Sequence, residues 1–454
     1  MRIMVVGDGK VGHTLAESLS LEGHNVVIVD RSEDVLQRTK DTLDVLTVQG
    51  NGANPKTLVE AGVKHSDILI AATAEDESNM LCCLVGKRLG AQFAIARIRD
   101  PEYNESLALL QEELDIDMSI NPERATALEI SRLLRFPFAN SIETFAKGKV
   151  EMVDFRAHEE DCIVGHPIKT LTHHCKGLPQ VLYCLIEREE QLLIPNGDFV
   201  ILPGDCVHVT GDNLTITHYF RFLGKSQLRV KHVMLLGGGR ISYYLAKVII
   251  PLGIHVTILE INPDKAEQLS ALLPEADILV GDGTDQDFLD QEGLATMDAF
   301  IALSNRDEEN LMIGLYALST GVPKVVVKSS RVAYAHILHT MGLDSIISPQ
   351  SITCDTILRY VRAHANSEGS TVENLYRLVE GKAEALEFII KASAPYVGIP
   401  LRNLKIRKGV LVAVIVRRGK VIVPFGSDHI EAEDSVIIIA CESGINDLNE
   451  VIWP

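Results

Sequence analysis

The strongest constraint on the fold is an internal duplication, because the landmarks of the first half of the sequence recur in the second half. The segment Met-Val-Val-Gly-Asp-Gly-Lys-Val-Gly at 4–12 is matched by Met-Leu-Leu-Gly-Gly-Gly-Arg-Ile-Ser at 234–242. Further pairs follow in the same order and at nearly the same separation: Asp30 and Glu260, 50–53 and 281–284, and 72–79 and 303–310. Such a sequence predicts two copies of one structural unit.

Each copy begins with short apolar runs, rich in β-branched residues, that alternate with amphipathic stretches. In the first copy the runs predict strands at 3–7, 26–30, 45–49, 68–72 and 93–97, with helices at 11–21 and 79–89 between them. A longer helix is predicted at 122–134, where Pro122 suits a first helical turn. Alternation of helices with fully apolar strands predicts an α/β fold with a Rossmann-like, doubly wound parallel sheet.

The remainder of each copy is dense in turn signals. Pro-Asn-Gly-Asp occurs at 195–198, Pro-Gly-Asp at 203–205 and Pro-Phe-Gly-Ser at 424–427. These turns predict a small β-rich or α+β module after each parallel sheet. We therefore predict four domains: a Rossmann-like domain at 1–140, a module at 141–226, a second Rossmann-like domain at 227–370 and a second module at 371–454, with a polar link at 224–227.

The glycine motif of the first copy predicts a dinucleotide site, because it follows a strand and opens a helix. Gly7 permits a tight turn, Gly9 lets a pyrophosphate approach the backbone, and Gly12 lets the helix pack closely on the strand. The helix N-terminus offers free N–H groups to the phosphates. Asp30, at the end of the next strand, can accept both hydroxyls of an adenosine ribose and favours NAD(H) over NADP(H).

Other candidate binding residues follow strand ends, which face the ligand crevice in this fold. In the first copy, Gly7, Gly9, Gly12 and Asp30 have been named above. The further candidates in this copy are Asp8, Lys10, Val11, Asn51, Thr73, Ala74, Arg97 and Arg99. In the second copy they are Gly237, Gly238, Gly239, Arg240, Ile241, Glu260, Asp282 and Ser304. Arg97 and Arg99 suit either phosphate contact or an ordinary salt bridge.

The second copy departs from the motif at two places. Ser242 replaces the third glycine, which is expected to cost some close packing and to weaken the site. Lys328 and Ser330 stand where the first copy has Arg97 and Arg99. The sequence therefore predicts an asymmetric pair, with the main switch in the first copy.

Charge and composition narrow the function classes. The formal net charge of −19 argues against nucleic-acid binding. We find no apolar stretch long enough to span a bilayer and no signal peptide, so we expect a cytoplasmic protein. The eight cysteines are scattered, and no metal site is predicted. His173, His174 and Cys175 are more typical of a loop or core, and His336 and His339 of a solvated helix.

Signs of catalysis are missing from the sequence. A dehydrogenase needs a proton donor or acceptor beside the nicotinamide and a sizeable substrate domain, whereas each module here is small. We find no suggestive His–Asp or Cys–His spacing, so sensing is favoured over turnover. An NAD-dependent oxidoreductase with a duplicated fold is the alternative, and a nucleotide-binding scaffold without a transporter is a third reading.

The sequence resembles the family of proteins with two RCK (or KTN) domains that serve as peripheral subunits of Trk-type potassium-uptake systems. The resemblance spans essentially the whole chain, and the residues that carry it lie at 1–12, 30, 50–52, 71–79, 97–103 and 236–240. It implies a homotetramer, with a ring of eight RCK units on the cytoplasmic face of an integral-membrane potassium transporter. It also implies that NAD(H), ATP and ADP bind the Rossmann-like domains and set transport activity.

Overall fold

A computed structural model describes the chain except for residues 190, 226–229, 331–337, 339–340, 344, 366–370, 380–381, 442–443, 446 and 454. The predicted link residues 226 and 227, the boundary residue 370, and His336 and His339 lie outside the described residues. None of the described helices is long and apolar enough to cross a lipid bilayer.

The first copy opens with a six-stranded parallel sheet in the order β3-β2-β1-β4-β5-β6. Its strands are β1 Arg2–Val6, β2 Asn25–Asp30, β3 Leu46–Gln49, β4 Ile68–Ala71, β5 Phe93–Arg97 and β6 Met118–Ile120. Its helices are α1 Lys10–Leu21, α2 Glu33–Thr42, α3 Pro55–Glu60, α4 Asp76–Leu89, α5 Pro101–Glu105, α6 Leu107–Glu113 and α7 Pro122–Arg135. The predicted doubly wound α/β domain is confirmed, and β6 is an additional edge strand.

Local sequence explains several element boundaries in this domain. The Ser32 hydroxyl accepts the Val35 N–H and caps α2, and the Asn54 side chain accepts the Lys56 N–H and caps α3. Gly90, with φ of 117°, ends α4 in a left-handed conformation that favours glycine. The central strands are buried along their length, as their continuous apolar sequences predict.

The first module is a five-stranded antiparallel sheet in the order β10-β9-β11-β8-β7. Its elements are β7 Ala139–Phe145, β8 Val150–Arg156, α8 Leu171–His174, β9 Leu182–Arg188, β10 Gln191–Leu193, β11 Cys206–Asp212 and α9 Asn213–Phe222. This arrangement confirms a small α+β module.

The second copy repeats both parts. The parallel sheet has the order β14-β13-β12-β15-β16-β17. Its strands are β12 His232–Leu236, β13 His255–Glu260, β14 Asp277–Val280, β15 Ala299–Ala302, β16 Lys324–Lys328 and β17 Ser345–Ile347. The helices of this domain are α10 Arg240–Ile249, α11 Pro263–Leu272, α12 Gln286–Gln291, α13 Asp307–Ser319 and α14 Pro349–Ala365. The module contains β18 Thr371–Leu378, β19 Ala383–Ile389, β20 Lys405–Ile406, β21 Val410–Arg417, β22 Lys420–Ile422, β23 Ser435–Ala440 and β24 Ile452–Trp453. Its sheet order is β18-β19-β23-β21-β22, which matches the order β7-β8-β11-β9-β10 of the first module read from its other edge.

The compact units of the chain are not consecutive in sequence. One unit comprises Met1–Thr126 and Ser348–Val361, and the other comprises Ala127–Ile347 and Arg362–Pro454. Local sequence patterns do not reveal this exchange, because the consecutive domains predicted from the sequence assign all of α14 to the second copy, whereas its residues up to Val361 belong to the first unit. In the first unit, the α14 residue Tyr360 packs edge-on against Phe93 of β5, with ring centroids 6.3 Å apart.

Within the second unit, the two antiparallel sheets share one apolar core. Met152 and Leu185 of the first module belong to the same buried cluster as Ala385 and Ile437 of the second module. The Tyr376 hydroxyl also donates a hydrogen bond to the Thr144 carbonyl at 2.5 Å. The two modules of one chain therefore pair face to face.

Candidate functional site

The glycine loop between β1 and α1 has the geometry of a phosphate cradle. Gly7 has φ of +98°, and a methyl group there would lie 2.9 Å from backbone atoms of Thr73. A methyl group on Gly9 would meet no protein atom within 4 Å, so this backbone faces open space. Gly9 precedes α1, and no side chain caps the first N–H groups of that helix. The loop thus leaves helix N–H donors available to an anion.

The third position of the motif controls how closely the helix packs. A methyl group on Gly12 would lie 1.8 Å from the Gly7 carbonyl oxygen, so only glycine fits the first copy without a shift. Ser242, its counterpart, is fully buried, and its hydroxyl donates a hydrogen bond to the Gly237 carbonyl. The second loop therefore accommodates a side chain by bonding to it.

Asp30 lies where a ribose carboxylate is expected, at the end of β2 beside the loop. Its Oδ2 accepts the Asp8 N–H at 2.7 Å, and its Oδ1 accepts the Ser32 N–H at 2.8 Å. Each oxygen keeps a further lone pair for a hydroxyl donor. The backbone on both sides of Asp30 thereby fixes the carboxylate in place.

A cleft runs along the carboxyl ends of β1 to β4. Of the sequence-predicted residues, Gly7, Asp30, Asn51, Thr73 and Ala74 line it. The remaining lining residues are Val6, Val29, Arg31, Gly50, Gly52, Ala53, Glu75, Ser78 and Cys82. Thr73 and Ala74 follow β4, which ends at Ala71.

Sequence reasoning did not single out Arg31, which lies next to Asp30 in the cleft wall. Its Nη2 donates to the Asn51 side-chain oxygen at 3.1 Å, which joins the ends of β2 and β3. The sequence carried a signal for Arg31, because a cation next to the ribose carboxylate can contact a phosphate group in this fold.

Asn79 is a second residue that sequence reasoning left out of the site. It is fully buried, and its Oδ1 accepts the Thr73 N–H at 2.8 Å while its Nδ2 donates to the Arg97 carbonyl at 2.9 Å. Asn310 makes the same contacts to Ser304 and Lys328 in the second copy, at 3.0 Å each. These asparagines tie the strand ends that flank each crevice.

The two arginines of the first copy make ion pairs at the edge of the site. An Arg99 nitrogen lies 3.4 Å from Asp76 Oδ1, and Arg97 and Arg99 each approach Glu123 at 3.9 Å. Arg99 also donates to the Ala74 carbonyl. Both guanidinium groups are largely buried beside the cleft, so a phosphate would have to compete with these carboxylates.

The second site holds its acid differently. Glu260 Oε2 accepts the Gly238 N–H at 3.0 Å and lies 2.9 Å from Lys265 Nζ. Burial acts to raise the pKa of Glu260, but the hydrogen bonds from Lys265 and the Asn262 N–H outweigh it and lower the pKa below its usual value. The first copy has Val35, an apolar residue, at the matching position. A ribose would therefore compete with Lys265 only in the second site.

The other predicted residues of the second site surround the same loop. Gly237 has φ of +95°, and a methyl group on Gly239 would meet no protein atom within 4 Å. Arg240 is exposed at the start of α10, and Ile241 is buried in its first turn. Asp282 accepts hydrogen bonds from the Thr284 N–H and hydroxyl, at 2.9 and 2.7 Å.

Asp8, Thr39 and His13 form a polar cluster at the first loop, in which Asp8 and Thr39 are buried and His13 is partly exposed. The Thr39 hydroxyl donates to Asp8 Oδ2 at 2.5 Å, and His13 Nδ1 lies 3.4 Å from Asp8 Oδ1. Burial raises the pKa of Asp8, against the opposing effects of Thr39 and His13, and the charge of Asp30 raises it further. Folding therefore disfavours the ionised form of Asp8.

We expect Asp8→Asn to raise the thermal unfolding midpoint at neutral pH by about 1–3 °C. A raised folded-state pKa means that stability is full at acid pH and falls as the pH rises, because Asp8 must then ionise in the folded protein. Asparagine removes this penalty and can still accept the Thr39 hydroxyl. The gain, measured by calorimetry, should shrink as the buffer is made acidic, and a gain that grew in acid would contradict this account.

We expect Lys265→Ala to strengthen nucleotide binding at the second site by about 3-fold to 10-fold, because Glu260 would no longer be held by a cation. The measurement is calorimetric titration with NAD⁺. The matched control is Lys247→Ala, which removes a lysine of α10 that lies 5.9 Å from the Tyr243 ring. Weaker binding to the Lys265 variant would show that Lys265 contacts the ligand instead.

Two tandem doubly wound domains, each with a glycine loop and an acid and each followed by an antiparallel module, define a duplicated fold of the RCK type. Solved structures have the same fold. The chain aligns with the "GsuK channel bound to NAD" at a TM-score of 0.63 and 17% identity, covering 97% of this chain and 76% of that one. The "GsuK bound to ADP" aligns at a TM-score of 0.52 and 15% identity, covering 80% and 70% of the two chains.

Sequence comparisons identify the family. The TrkA-N domain family matches residues 3–122 and 233–349, and the TrkA-C domain family matches residues 385–452. The Trk system potassium uptake protein TrkA of Vibrio alginolyticus is 32% identical, over 100% of this chain and 99% of that protein. The chain belongs to the TrkA family of Trk-system potassium uptake proteins. This is not an enzyme family, so the oxidoreductase alternative is not supported.

Proposed function

We propose that this chain is a cytoplasmic, nucleotide-sensing regulatory subunit that gates an integral-membrane potassium-uptake transporter of the Trk type. The observation that carries the proposal is the first cleft, where open space beside Gly9, an uncapped α1 and a fixed Asp30 carboxylate lie together. The names of the relatives support the link to potassium uptake.

NAD(H) is the proposed dinucleotide, with ATP and ADP as regulatory ligands. Asp30 would accept the adenosine ribose hydroxyls, and the N–H groups from Gly9 to Val11 would hold the pyrophosphate. Solved structures of the same fold, GsuK bound to NAD and GsuK bound to ADP, support this choice. Bound nucleotide would supply charge and shape to the cleft.

The proposed switch lies at the edge of the first cleft, where Arg97 and Arg99 approach Glu123. An additional phosphate would compete with Glu123 for the two cations. Glu123 is in the first turn of α7, so loss of its pairing would free that helix to shift. A ligand biases the equilibrium only if it binds one arrangement better than the other, and the phosphate count provides this difference.

The proposed assembly is a homotetramer that forms a ring of eight RCK units beneath the transporter, peripherally bound to the inner face of the membrane. The internal duplication supports an even ring, since each chain supplies two units. The face-to-face pairing of the two modules, through the core around Met152 and Ile437, supports tight coupling between the units of one chain.

The proposal is tested by potassium flux through the reconstituted transporter, with and without this chain, during titration with NAD⁺, NADH, ATP and ADP. We expect the chain to make flux depend on nucleotide and expect ATP and ADP to act differently. Equal flux with every nucleotide, while binding is retained, would contradict the proposed function.

A further inference from the structure

A histidine, a cysteine and an aspartate meet on two neighbouring strands of the first module. His208 of β11 is directly opposite Asp154 of β8 in the antiparallel register. Cys206 lies two residues before His208 on the same strand, so its side chain points to the same face. Met152, two residues before Asp154, belongs to the core between the two modules. The cluster therefore lies on the face of the sheet that packs towards the second module.

The three side chains are close enough to share one ion. A carboxylate oxygen of Asp154, the sulfur of Cys206 and a ring nitrogen of His208 all lie within 4.8 Å of one another. Cys206 Sγ is 3.7 Å from Asp154 Oδ2. Ligands on a tetrahedral zinc ion are separated by about 3.4–3.6 Å, given the usual metal–ligand bond lengths. Small side-chain rotations would close the remaining gap.

Burial and missing partners distinguish this cluster from a solvated surface group. The exposed fractions of Asp154, Cys206 and His208 are 7%, 9% and 4%. His208 Nε2 is buried without a hydrogen-bond partner among the described residues. Burial lowers the pKa of His208 despite the nearby Asp154 and Glu187, which favours the neutral form of the ring. A buried polar atom without a partner is costly, and a bound ion would supply a partner for this nitrogen.

Neighbouring residues orient the cluster as they orient ligands in metal sites. Asp154 Oδ1 accepts the Ser141 N–H at 2.5 Å and the Ser141 hydroxyl at 2.7 Å, which leaves Oδ2 directed to Cys206. The Asn140 amide lies 3.6 Å from Cys206 Sγ. Glu187 of β9 is opposite Cys206 in the sheet and could supply a further oxygen.

The second module provides an internal comparison, because the same register positions hold Glu387 and Ile437, with Ser435 two residues before Ile437. There the carboxylate is bound by an amide, a hydroxyl and a backbone N–H, without a thiol or an imidazole. Glu387 accepts hydrogen bonds from the Asn374 amide at 2.5 Å, the Ser435 hydroxyl at 2.5 Å and the Ala146 N–H at 2.9 Å. Only the first module combines a thiol, an imidazole and a carboxylate at these positions.

We propose that Asp154, Cys206 and His208 bind one divalent transition-metal ion of the zinc class. Thiolate, imidazole and carboxylate are the ligands that zinc takes in proteins, and water or Glu187 would complete a tetrahedral set. The two anionic ligands balance the charge of the ion. The ion would join β8 to β11 in the sheet that supports the module pairing, and it is independent of the nucleotide clefts.

The test uses the full-length protein after treatment with a chelator. We expect calorimetric titration with zinc sulfate to give one ion per chain, and titration with Co²⁺ to give a thiolate-to-metal charge-transfer band. His208→Ile and Cys206→Ser, which introduce the residues of the second module, should each weaken zinc binding by more than about 10-fold. Cys206→Ser should also remove the cobalt band.

The matched control is Cys162→Ser, which removes an exposed thiol of the same module and should leave both signals unchanged. Circular dichroism establishes that each variant is folded. The absence of a thiolate band in the wild-type protein would overturn the proposal even if the variants did not fold. Zinc binding that survives in both His208→Ile and Cys206→Ser would overturn it equally.

Discussion

Gly9→Ala is expected to weaken NAD⁺ binding at the first site by at least about 30-fold, equivalent to about 2 kcal/mol, while the fold is unchanged. Gly9 has φ of −76° and ψ of −174°, which alanine adopts freely, and the added methyl group would meet no protein atom within 4 Å. That space is where the pyrophosphate must approach the backbone. The methyl group therefore acts on the ligand and not on the protein.

The measurement is calorimetric titration with NAD⁺, with thermal unfolding recorded for each variant. Gly239→Ala is the matched variant in the second copy, because Gly239 has φ of −78° and the same open space beside it. We expect the stronger of two binding events to disappear in the first variant and to remain in the second. Unchanged NAD⁺ affinity in Gly9→Ala would show that the loop does not hold the dinucleotide.

Glu384→Gln is expected to cost about 3–5 kcal/mol of unfolding free energy, because it removes the charge of the buried carboxylate that pairs with the buried Arg362 cation. Arg362 of α14 is 1% exposed, and Glu384 of β19 is fully buried. Two guanidinium nitrogens bond to the two carboxylate oxygens, at 3.0 and 3.2 Å. Glutamine keeps the shape of the side chain but removes the charge, so the loss is electrostatic.

The first copy supplies the control for this prediction. Arg135 of α7 pairs with Glu151 of β8 at the equivalent position, but the Arg135 side chain is 50% exposed. Water can solvate that cation after Glu151→Gln, so we expect a loss of about 1 kcal/mol or less. Chemical denaturation of the two variants measures the difference. Equal losses would contradict the assignment of the larger effect to burial of Arg362.

Periodicity and glycine spacing were sufficient to predict the parallel sheets, because β1, α1 and β2 are specified by local sequence. The same is true of Asp30, whose position at the end of β2 follows from strand length. The asymmetry between the two sites was predicted from Ser242 and from the loss of the two arginines, and Lys265 adds a further difference. The Ser242 hydroxyl donates a hydrogen bond to the glycine loop, whereas Lys265 forms an ion pair with Glu260, the acid of the second site.

Features that depend on tertiary pairing could not be predicted in this way. Asn79 was visible as part of a repeated segment, yet its contact with the Arg97 carbonyl requires β4 and β5 to be neighbours. The exchange of α14 between units leaves no mark on local pattern. Asp154 and His208 are far apart in sequence, and only the register of β8 on β11 brings them together.

The proposed nucleotide switch lies in the first copy, and potassium flux in the two loop variants tests this proposal most directly. Reconstituted transporter with wild-type chain, Gly9→Ala or Gly239→Ala is assayed with ATP and with ADP. We predict that Gly9→Ala abolishes the difference in flux between the two nucleotides and that Gly239→Ala retains it. A full ATP–ADP difference in Gly9→Ala, or its loss only in Gly239→Ala, would contradict the account.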